Sequence, residues 1–476
     1  MPLSEREYRA QSLWLSQIPS LSPRPALKHD HSVDVAILGA GYTGLWSAYY
    51  LKSKRPDLRV AVFESEIAGF GASGRNGGWL LGELAGQDSF LSLVSAKERQ
   101  QAHQLLHDIP SEVGRVILQE GVECDFVHSG ALYIAARYDE QCRRLKQEHQ
   151  DLQGLGYSEQ DYVWLNAEET KSRVNIPSAN AALFSPNVAR IHPAKLARGL
   201  ANDCEQLGVE IFEHSPVRAW SKGQVELLNG VKVKCEWLIP ALEAYGVSIK
   251  DAPFSWKRYQ RPVQSAIIAT EPLSKTLWSD LGLQNYEVFS DFSRIVTYGQ
   301  RTADDRLVFG ARGAYLFGAA LQHDPKLDRA AIDFRKGLLQ TLFPQLEGVA
   351  ITHAWRGNLA LSRKFRPHMV LNQEHGFALS AAYGGDGVGA SNLAGRTLSD
   401  LILGIDSVET NMPWVDKTGR FAKSKAWEPE PIPWLGYYAL NAVSLYEDRL
   451  LSEGKADTFP RKVADKTYRF LEKKMA

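Results

Sequence analysis

Residues 33–64 read VDVAILGAGYTGLWSAYYLKSKRPDLRVAVFE, and this stretch decides the fold. Its first apolar run, residues 33–38, has the β-branched composition of a strand that is buried on both faces. Gly39, Gly41 and Gly44 follow directly as GxGxxG and open a helix expected over residues 43–54, before a second strand at 59–63. Together these elements form the βαβ unit of a dinucleotide site.

Each glycine of this motif has its own task. Gly39 makes the tight turn, Gly41 lets the backbone approach a pyrophosphate, and Gly44 allows close packing of helix and strand. The free N–H groups of the helix N-terminus would bind the phosphates. Glu64 ends the second strand, where an acidic side chain accepts hydrogen bonds from free ribose hydroxyls and so favours FAD or NAD over NADP. A βαβ unit that binds nothing is the alternative.

Two other segments are rich in glycine. Residues 67–78 read IAGFGASGRNGG, too poor in large side chains to be held by packing, so we expect this backbone to lie against a large planar ligand. Residues 383–389 read YGGDGVG and open a helix expected to end near residue 403. Two glycine loops before helices near opposite ends of the chain predict one ligand bound from both sides.

The remaining pattern predicts a second domain. Strand-like runs between residues 262 and 312 are separated by turns and indicate an antiparallel sheet. Further expected elements are helices at 90–120, 138–175 and 328–342, a strand at 125–136, and strands at 209–213 and 231–240 that would return to the first sheet. The leader, residues 1–30, is expected to pack over the nucleotide domain. The Trp/Pro-rich tail from residue 406 ends in a helix expected to pack on the body or on a partner subunit of a homo-oligomer.

Composition excludes several classes of protein. The 476 residues carry 55 basic and 55 acidic side chains, so neither nucleic acid nor an anionic membrane is favoured as a partner. No run of 18 apolar residues and no signal peptide is present. The four cysteines are scattered without a metal-binding pattern, which is typical of free thiols in a reducing compartment. We therefore expect a cytoplasmic protein without a metal site.

The motifs together resemble the glycine/D-amino-acid oxidase (DAO-type) family of FAD-dependent amine oxidoreductases. The resemblance is carried, in family order between residues 33 and 404, by DVAILGAGYTGLWSAYYL, GFGASGRNGG, IHPAKLARGL with the following SPV, HAWRG and YGGDGVGAS. The GASGRNGG form is most similar to the branch that contains gamma-glutamylputrescine oxidase. The resemblance implies an α/β fold, with a discontinuous Rossmann-like FAD-binding domain and an α+β substrate domain built on an antiparallel sheet. The expected FAD domain comprises residues 31–86, 187–240 and 350–405, and the expected substrate domain comprises 87–186 and 241–349.

The same resemblance implies which residues bind FAD. The pyrophosphate and ribose side comprises Gly39, Ala40, Gly41, Tyr42, Thr43, Gly44 and Glu64. The flavin side comprises Ser73, Gly74, Arg75, Asn76, Gly77 and Gly78, and Val217 would meet the adenine through its backbone. Gly384, Gly385, Gly387 and Val388 would lie at the pyrimidine edge of the flavin, where a helix N-terminus stabilises negative charge.

For the substrate, the resemblance points to Arg356 in HAWRG, where family members that act on amino acids place an arginine on the substrate carboxylate. A structural salt bridge is the alternative for this residue. Trp355, Tyr298, Arg312 and Tyr383 are further candidates for the substrate cavity, each weighed against ordinary core packing. His192 and His353 are expected to be structural, because hydride transfer from a free amine needs no general base.

The implied reaction is hydride transfer from the α-carbon of a small-molecule amine or amino acid to flavin N5, with hydrolysis of the imine and reoxidation by O2 to give H2O2. No cysteine follows Cys235 and the GRNGG loop has no histidine, so non-covalent FAD is expected. Some relatives carry a lysine above the flavin that assists oxygen, and residues 307–310 have none. An amine dehydrogenase with another electron acceptor therefore stays open, as do an NAD-dependent dehydrogenase and a non-catalytic flavoprotein subunit.

Overall fold

The computed structural model describes residues 3–249, 251–421 and 424–475. Its strands are, in chain order, β1 His31–Ser32, β2 Val35–Leu38, β3 Val60–Phe63, β4 Trp79–Leu81, β5 Ala131–Ala135, β6 Val163–Leu165, β7 Ala181–Ser185, β8 Val188–Arg190, β9 Glu210–Phe212, β10 Val217–Ser221, β11 Gln224–Leu227, β12 Lys232–Lys234, β13 Trp237–Pro240, β14 Gln260–Thr270, β15 Val288–Ser290, β16 Thr297–Arg301, β17 Leu307–Arg312, β18 Ile351–Ser362, β19 His368–Asn372, β20 Phe377–Ala381 and β21 Val415–Asp416.

The α-helices are α1 Glu5–Arg9, α2 Leu13–Ser16, α3 Tyr42–Lys54, α4 Asp88–Leu91, α5 Ala96–Glu120, α6 Asp139–Gly154, α7 Ala167–Arg173, α8 Pro193–Gln206, α9 Trp256–Tyr259, α10 Lys275–Leu281, α11 Arg329–Leu342, α12 Gly387–Leu403, α13 Ile432–Ser452 and α14 Phe459–Met475. Short 3₁₀ helices lie at Ala72–Gly74, Glu243–Ser248, Pro344–Leu346 and Glu409–Asn411. Residues 1 and 2 of the expected leader, and 422, 423 and 476 of the expected tail, lie outside the described residues.

A seven-stranded sheet in the order β21-β19-β20-β13-β2-β3-β9 carries the glycine turn. The core strands β13, β2, β3 and β9 are parallel. Val35 and Ile37 pack in a core with α3, α8 and α12, whereas Ala36 and Leu38 pack against the four-stranded sheet β1-β12-β11-β10 on the opposite face. Burial of both faces explains why this strand reads as a continuous apolar run.

The second large sheet has eight strands in the order β18-β14-β17-β16-β15-β5-β7-β6. Its pairings are antiparallel except for the parallel pair β15 and β5. Helix α11 covers one face, and the buried Arg335 of this helix donates hydrogen bonds to the carbonyl oxygens of Ala266, Ala311 and Arg312. The two sheets confirm the predicted class, a Rossmann-like α/β part with an antiparallel-sheet part.

Two expectations for single elements were wrong. The run 231–240 is two strands in different sheets, because β12 pairs with β1 and β11 while β13 pairs with β2. The segment 138–175 is interrupted by β6, which pairs with β7. In both cases long-range pairing overrode the local pattern. The strand β18 lies in the part of the chain expected for FAD binding, and it pairs along its length with β14 of the eight-stranded sheet.

The leader and the tail both pack on the body. In the leader, Tyr8, Leu13, Trp14 and Leu15 are fully buried in a core that also contains Ile67 and Ala194 next to the first sheet and Ile267, Val308 and Trp355 of the eight-stranded sheet. The tail helix α13 is held by ion pairs of Asp448 with Arg137 and of Glu447 with Arg144. Within the described part of the chain, no helix is both long enough and apolar enough to cross a membrane.

Candidate active site

One cavity of about 1310 Å³ is lined by residues of both large sheets. Gly39 and Glu64 line it at the carboxyl ends of β2 and β3, where parallel α/β sheets bind their ligands. Tyr298 and Arg312 line it from the eight-stranded sheet. The volume exceeds that of a typical cavity for a small ligand, roughly 300–1,000 Å³, so it has room for a dinucleotide and a further small molecule.

The glycine turn places the N-terminus of α3, which has no side-chain cap among the described residues, at this cavity. Gly39 has φ +101°, a left-handed conformation that favours glycine, and a Cβ on it would lie 2.7 Å from the carbonyl oxygen of Ala241. Gly41 is the N-cap of α3 and supplies no side-chain cap. A Cβ on Gly44 would lie 2.1 Å from the carbonyl oxygen of Gly39. The tasks predicted for Gly39 and Gly44, a tight turn and close packing of helix and strand, are therefore visible in the backbone.

Glu64 is held by the backbone of this turn. Its Oε2 accepts a hydrogen bond from the N–H of Ala40 at 2.8 Å, and its Oε1 accepts one from the N–H of Glu66 at 2.9 Å. Burial raises the pKa of Glu64, and the two backbone donors oppose that rise. The carboxyl group is thus fixed at the end of β3, and each oxygen keeps lone pairs for a ligand hydroxyl.

The loop 71–78 lies against the start of α3. Ser73 Oγ accepts a hydrogen bond from the N–H of Tyr42 at 2.9 Å. Arg75 is buried, donates from Nε to the carbonyl oxygen of Phe70, and stacks its guanidinium 4.4 Å from the Phe70 ring centroid. Its Nη2 is buried and has no hydrogen-bond partner within the described structure. Arg75 therefore brings a spare donor to the wall of the cavity.

The second glycine segment meets the first one across the fold. Tyr383 and Thr43 are 340 residues apart in sequence, and their hydroxyl groups form a buried hydrogen bond of 2.8 Å. Gly384, Gly385 and Gly387 line the same cavity as Gly39 and Gly41. Helix α12 begins there and, like α3, has no side-chain cap in the described residues. Both glycine loops therefore face one cavity, as one ligand bound from both sides would require.

These features fit FAD. The N-termini of the 13-residue α3 and the 17-residue α12 both open at the cavity without a side-chain acceptor, so their N–H groups and dipoles are available to an anionic ligand. Gly385 has φ +121° and nothing within 4 Å of a Cβ position, which leaves its backbone open to a close ligand. The described residues contain no group of three or more His, Cys, Asp and Glu side chains that could hold a metal.

Most of the expected cofactor residues line this cavity. They are Gly39, Gly41, Tyr42, Thr43, Glu64, Ser73, Arg75, Asn76, Gly77, Val217, Gly384, Gly385, Gly387 and Val388. Ala40, Gly44, Gly74 and Gly78 are not part of the lining. Two of them support lining residues. The N–H of Ala40 donates to Glu64 Oε2, and Gly74 allows close backbone packing, since a Cβ there would lie 2.2 Å from the carbonyl oxygen of Gly69.

The substrate candidates Tyr298 and Arg312 share one face of the eight-stranded sheet. The Tyr298 ring lies between two glycines, since a Cβ on Gly77 or Gly310 would come within 2.6 Å or 2.1 Å of that ring. Its hydroxyl group is hydrogen-bonded to Ser265, which is the register partner of Arg312 on β14. The Arg312 side chain makes no hydrogen bond or ion pair with any described residue. It is a cavity-lining cation without a hydrogen-bond or ion-pair partner in the described part of the chain.

Arg356 lies on the other face. It is the register partner of Ala266 on β14, one residue from Ser265, so its side chain points to the opposite side of the sheet. There its guanidinium donates to the carbonyl oxygen of Lys326 and its charge lowers the pKa of Arg335 on α11, a shift caused chiefly by burial. Arg356 does not line the cavity. This placement does not support a role for Arg356 in holding a substrate carboxylate.

Three other expected residues have structural contacts. Trp355 is buried and donates from Nε1 to the carbonyl oxygen of Arg75. His192 caps α8 through Nδ1, which accepts from the N–H of Lys195, and burial lowers its pKa to about 4. His353 forms a hydrogen bond with its neighbour Thr352. None of the three lines the cavity.

Several lining residues were missed by the sequence analysis. They are Leu3, Glu7, Ala10 and Gln11 of the leader, Gln264, Ser265, Leu359 and Leu361 of the antiparallel sheet, and Tyr437, Leu440 and Met475 of the tail. For Leu359 and Leu361 the sequence did carry a local signal, because apolar residues two apart on a strand lie on the same face of the sheet. The leader and the tail carried none, because their places in the fold depend on contacts with distant segments.

A smaller cavity of about 210 Å³ shares Glu83, Tyr133 and Asp386 with the large one. It is also lined by Asp88 and Glu148. Burial, with a smaller contribution from neighbouring carboxylates, raises the pKa of Glu83 and of Glu148 to about 7. Burial likewise raises the pKa of Asp386 to about 6. The carboxyl groups of Glu83, Glu148 and Asp386 are therefore protonated up to a higher pH in the folded protein than in the unfolded chain.

This cluster predicts that stability falls as pH rises. The folded-state pKa of Glu148 lies above its ordinary value of 4.5, so its stabilising contribution is complete below that value and is lost as pH rises through about 7. We expect the melting temperature of the holoprotein to decrease between about pH 5 and about pH 8. Glu148→Gln should flatten this decrease in a thermal-melting series. An unchanged slope in the variant would exclude Glu148 as a source of the effect.

Comparison with known proteins gives two kinds of match. A family model described as FAD dependent oxidoreductase (DAO) matches residues 34–401. A Haemophilus influenzae protein named Probable oxidoreductase OrdL is 31% identical over 391 residues, which are 80% of this chain and 85% of that protein. Gamma-glutamylputrescine oxidoreductase of Escherichia coli is 29% identical over 399 residues, which are 83% of this chain and 89% of that protein.

Solved structures share the fold. Glycine oxidase from Bacillus cereus superposes with a TM-score of 0.64 at 18% identity, over 84% of this chain and 99% of that one. L-proline dehydrogenase from P. horikoshii superposes with a TM-score of 0.64 at 16% identity, over 81% of this chain and 98% of that one. Both confirm the architecture of the two large sheets.

Proposed function

Because the chain belongs to the DAO family of FAD-dependent oxidoreductases, we propose that it oxidises a primary or secondary amine, or an amino acid, at the carbon that carries the nitrogen. The observation that carries this proposal is the cavity that extends from the glycine turn of β2 to Arg312, whose side chain has no hydrogen-bond or ion-pair partner among the described residues. Relatives named gamma-glutamylputrescine oxidoreductase, glycine oxidase and L-proline dehydrogenase agree with such a substrate class.

When bound, FAD supplies an acceptor at N5 for a hydride from the α-carbon of a neutral amine and passes the electrons on to dioxygen, which gives H2O2. The chain has to hold this cofactor, orient the substrate and exclude water. We assign the pyrophosphate to the N-terminus of α3, the ribose to Glu64 and the pyrimidine edge to the N-terminus of α12. The four cysteines are free and do not line the cavity within the described residues, which supports non-covalent binding.

Arg312 takes the anionic end of the substrate in this proposal. Arg312 and Tyr437 both line the cavity, and the charge of Arg312 opposes the rise in the pKa of Tyr437 that burial causes. An arginine in the cavity wall beside Ser265 can donate two parallel hydrogen bonds to a carboxylate. The neighbouring wall is apolar, with Val263, Leu359 and Leu440. It suits the hydrocarbon part of an amino acid or an N-substituted amine.

The electron acceptor separates an oxidase from a dehydrogenase. Residues 307–310 carry no lysine, and at Gly310 a side chain would collide with the ring of Tyr298. Lys326 lines the cavity from a different segment and is exposed. We keep dioxygen as the proposed acceptor. A dehydrogenase that transfers electrons to another acceptor is the second candidate, because the expected lysine is missing from β17.

We also propose a division of the chain that follows sheet membership. The FAD-binding part comprises residues 31–86, 187–240 and 363–405, and the substrate part comprises 87–186 and 241–362. Residues 351–362 move to the substrate part because β18 pairs with β14. The leader and the tail complete the cavity from outside both parts.

An anaerobic titration tests the function. The purified holoprotein is mixed with alkylamines, N-methyl amino acids, D-amino acids and gamma-glutamyl amines, and the visible flavin absorbance is recorded before air is admitted. We expect one class to bleach the flavin within seconds, and recovery in air at a comparable rate for an oxidase. Slow recovery with air but fast recovery with an artificial acceptor would indicate the dehydrogenase. Bleaching by no amine of the panel would contradict the proposal.

A further inference from the structure

The leader holds the loop that carries Ser73 and Arg75. Three consecutive carbonyl oxygens, those of residues 74–76, each accept one hydrogen bond from a side chain outside the loop. The donors are Ser12 Oγ to Gly74 at 2.8 Å, Trp355 Nε1 to Arg75 at 2.9 Å and Trp14 Nε1 to Asn76 at 2.8 Å. Two of the three donors are leader residues, and Trp14 also packs edge-on against Trp355 with ring centroids 6.1 Å apart.

These hydrogen bonds are relevant to cofactor binding because the same loop contacts the start of α3 and lines the cavity. Ser73 Oγ accepts from the N–H of Tyr42 at the start of α3, and both Ser73 and Arg75 line the cavity. The hydrogen bonds to the carbonyl groups of residues 74–76 fix the loop backbone, and the fixed backbone keeps the side chains of Ser73 and Arg75 in position at the cavity. A loop rich in glycine has little packing of its own with which to do this.

The leader also forms part of the cavity wall. Leu3, Glu7, Ala10 and Gln11 line the same cavity as Glu64 and Glu66. The Tyr8 hydroxyl donates to Glu66 Oε2 at 2.8 Å, which ties the first helix to the segment after β3. Gln11 is 7% exposed, and its Oε1 has no hydrogen-bond partner among the described residues. Buried polar atoms without a partner are uncommon in proteins.

The leader joins the two large sheets at this point. Its core contains Ile67 and Ala194 next to the first sheet, and Ile267 and Val308 of the second. The leader precedes the range 34–401 that the family model matches, so nothing in that match assigns it a role. The leader has buried side chains, donates hydrogen bonds to the loop 71–78 and forms part of the wall of the cavity that this loop also lines.

We propose that residues 3–17 are a strap that retains FAD, with Ser12 and Trp14 as positioning residues for the loop that lines the cofactor site. The strap slows release of the cofactor by fixing residues 74–76 and by covering the cavity next to Glu64. The proposal rests on the FAD dependence of the family and not on the identity of the amine.

The test compares a strap variant with a matched control. Ser12→Ala with Trp14→Phe removes both leader donors but keeps an aromatic ring in the core. Trp278→Phe is the control, because Trp278 is equally buried and donates from Nε1 to the carbonyl oxygen of Asp305 at 2.9 Å, away from the cavity. Release of FAD is followed by the fluorescence of free flavin after dilution of the holoprotein, and the melting temperature of each variant is recorded.

We expect the strap variant to release FAD about tenfold faster than the wild type, and the control to differ by less than about twofold, since each lost hydrogen bond contributes roughly one factor of three. Ser12→Ala alone removes one hydroxyl group and serves as the test if the double variant does not fold. A wild-type release rate in the variant that folds would overturn the proposal. No amine enters this measurement, so its failure is distinct from failure of the proposed function.

Discussion

Replacing Arg312 by methionine is expected to lower kcat/KM for a carboxylate-bearing amine by roughly 10²–10³-fold, because truncation of one partner of a desolvated charge pair costs roughly 2–5 kcal/mol. The prediction follows from the cavity. Arg312 lines it without a hydrogen bond or ion pair to any described side chain, and Ser265 and Tyr298 stand on the same face of the sheet. Methionine keeps much of the length of the side chain and removes the charge.

Arg356→Met is the matched control for this substitution. Arg356 lies on β18, which is separated from the strand of Arg312 by β14, and its side chain is on the opposite face, where it donates to the carbonyl oxygen of Lys326. We expect its kcat/KM to stay within about threefold of the wild type, as for a surface substitution away from the site. The dissociation constant of benzoate, read from the flavin spectrum, adds a measurement without turnover and should rise in the Arg312 variant. Equal losses in both variants, or a loss confined to Arg356→Met, would contradict the assignment.

Gly44→Ala is expected to abolish stable FAD binding and to destabilise the fold by about 3 kcal/mol, the upper part of the usual range for overpacking. The added Cβ would lie 2.1 Å from the carbonyl oxygen of Gly39 and 3.2 Å from Ile37 Cγ2. The first contact is with backbone, so no side-chain rotation relieves it. Helix α3 has to move away from β2, which displaces the N–H groups that face the cavity.

Gly337→Ala is the control for Gly44→Ala. Gly337 lies inside the 14-residue helix α11, and nothing lies within 4 Å of the Cβ position. Alanine there should stabilise the protein by about 0.5–1 kcal/mol through the lower conformational entropy of its unfolded chain. The two variants are compared by bound flavin per chain after purification and by thermal melting. Normal flavin content in Gly44→Ala would show that close packing of α3 on β2 is not required for the site.

Local motifs were informative about the cofactor end of the molecule. The residues of GxGxxG act through backbone conformation and through steric contacts inside one βαβ unit, so their tasks can be read without knowledge of distant segments. The same holds for the glycine segment before α12. The pairing of Thr43 with Tyr383 agrees with the prediction that both loops face one ligand.

Side-chain direction in the antiparallel sheet was not available from local motifs. Arg312 ends β17 and Arg356 lies in the middle of β18, and the resemblance favoured Arg356. The register of β14 places Ser265 opposite both Arg312 and Gly357, so Arg312 shares the cavity face and Arg356 does not. Because side chains alternate along a strand, a difference of one residue in register exchanges the two faces.

By itself, the sequence determined the class of fold and predicted a dinucleotide site, because a βαβ unit with its glycine turn depends on short-range backbone geometry. Only the tertiary structure decided that the run 231–240 divides between two sheets, that the leader reaches the loop 71–78 and that the tail reaches the large cavity. Each of these depends on contacts between residues far apart in the chain. No local pattern encodes such a contact, since it exists only once the sheets have paired and packed.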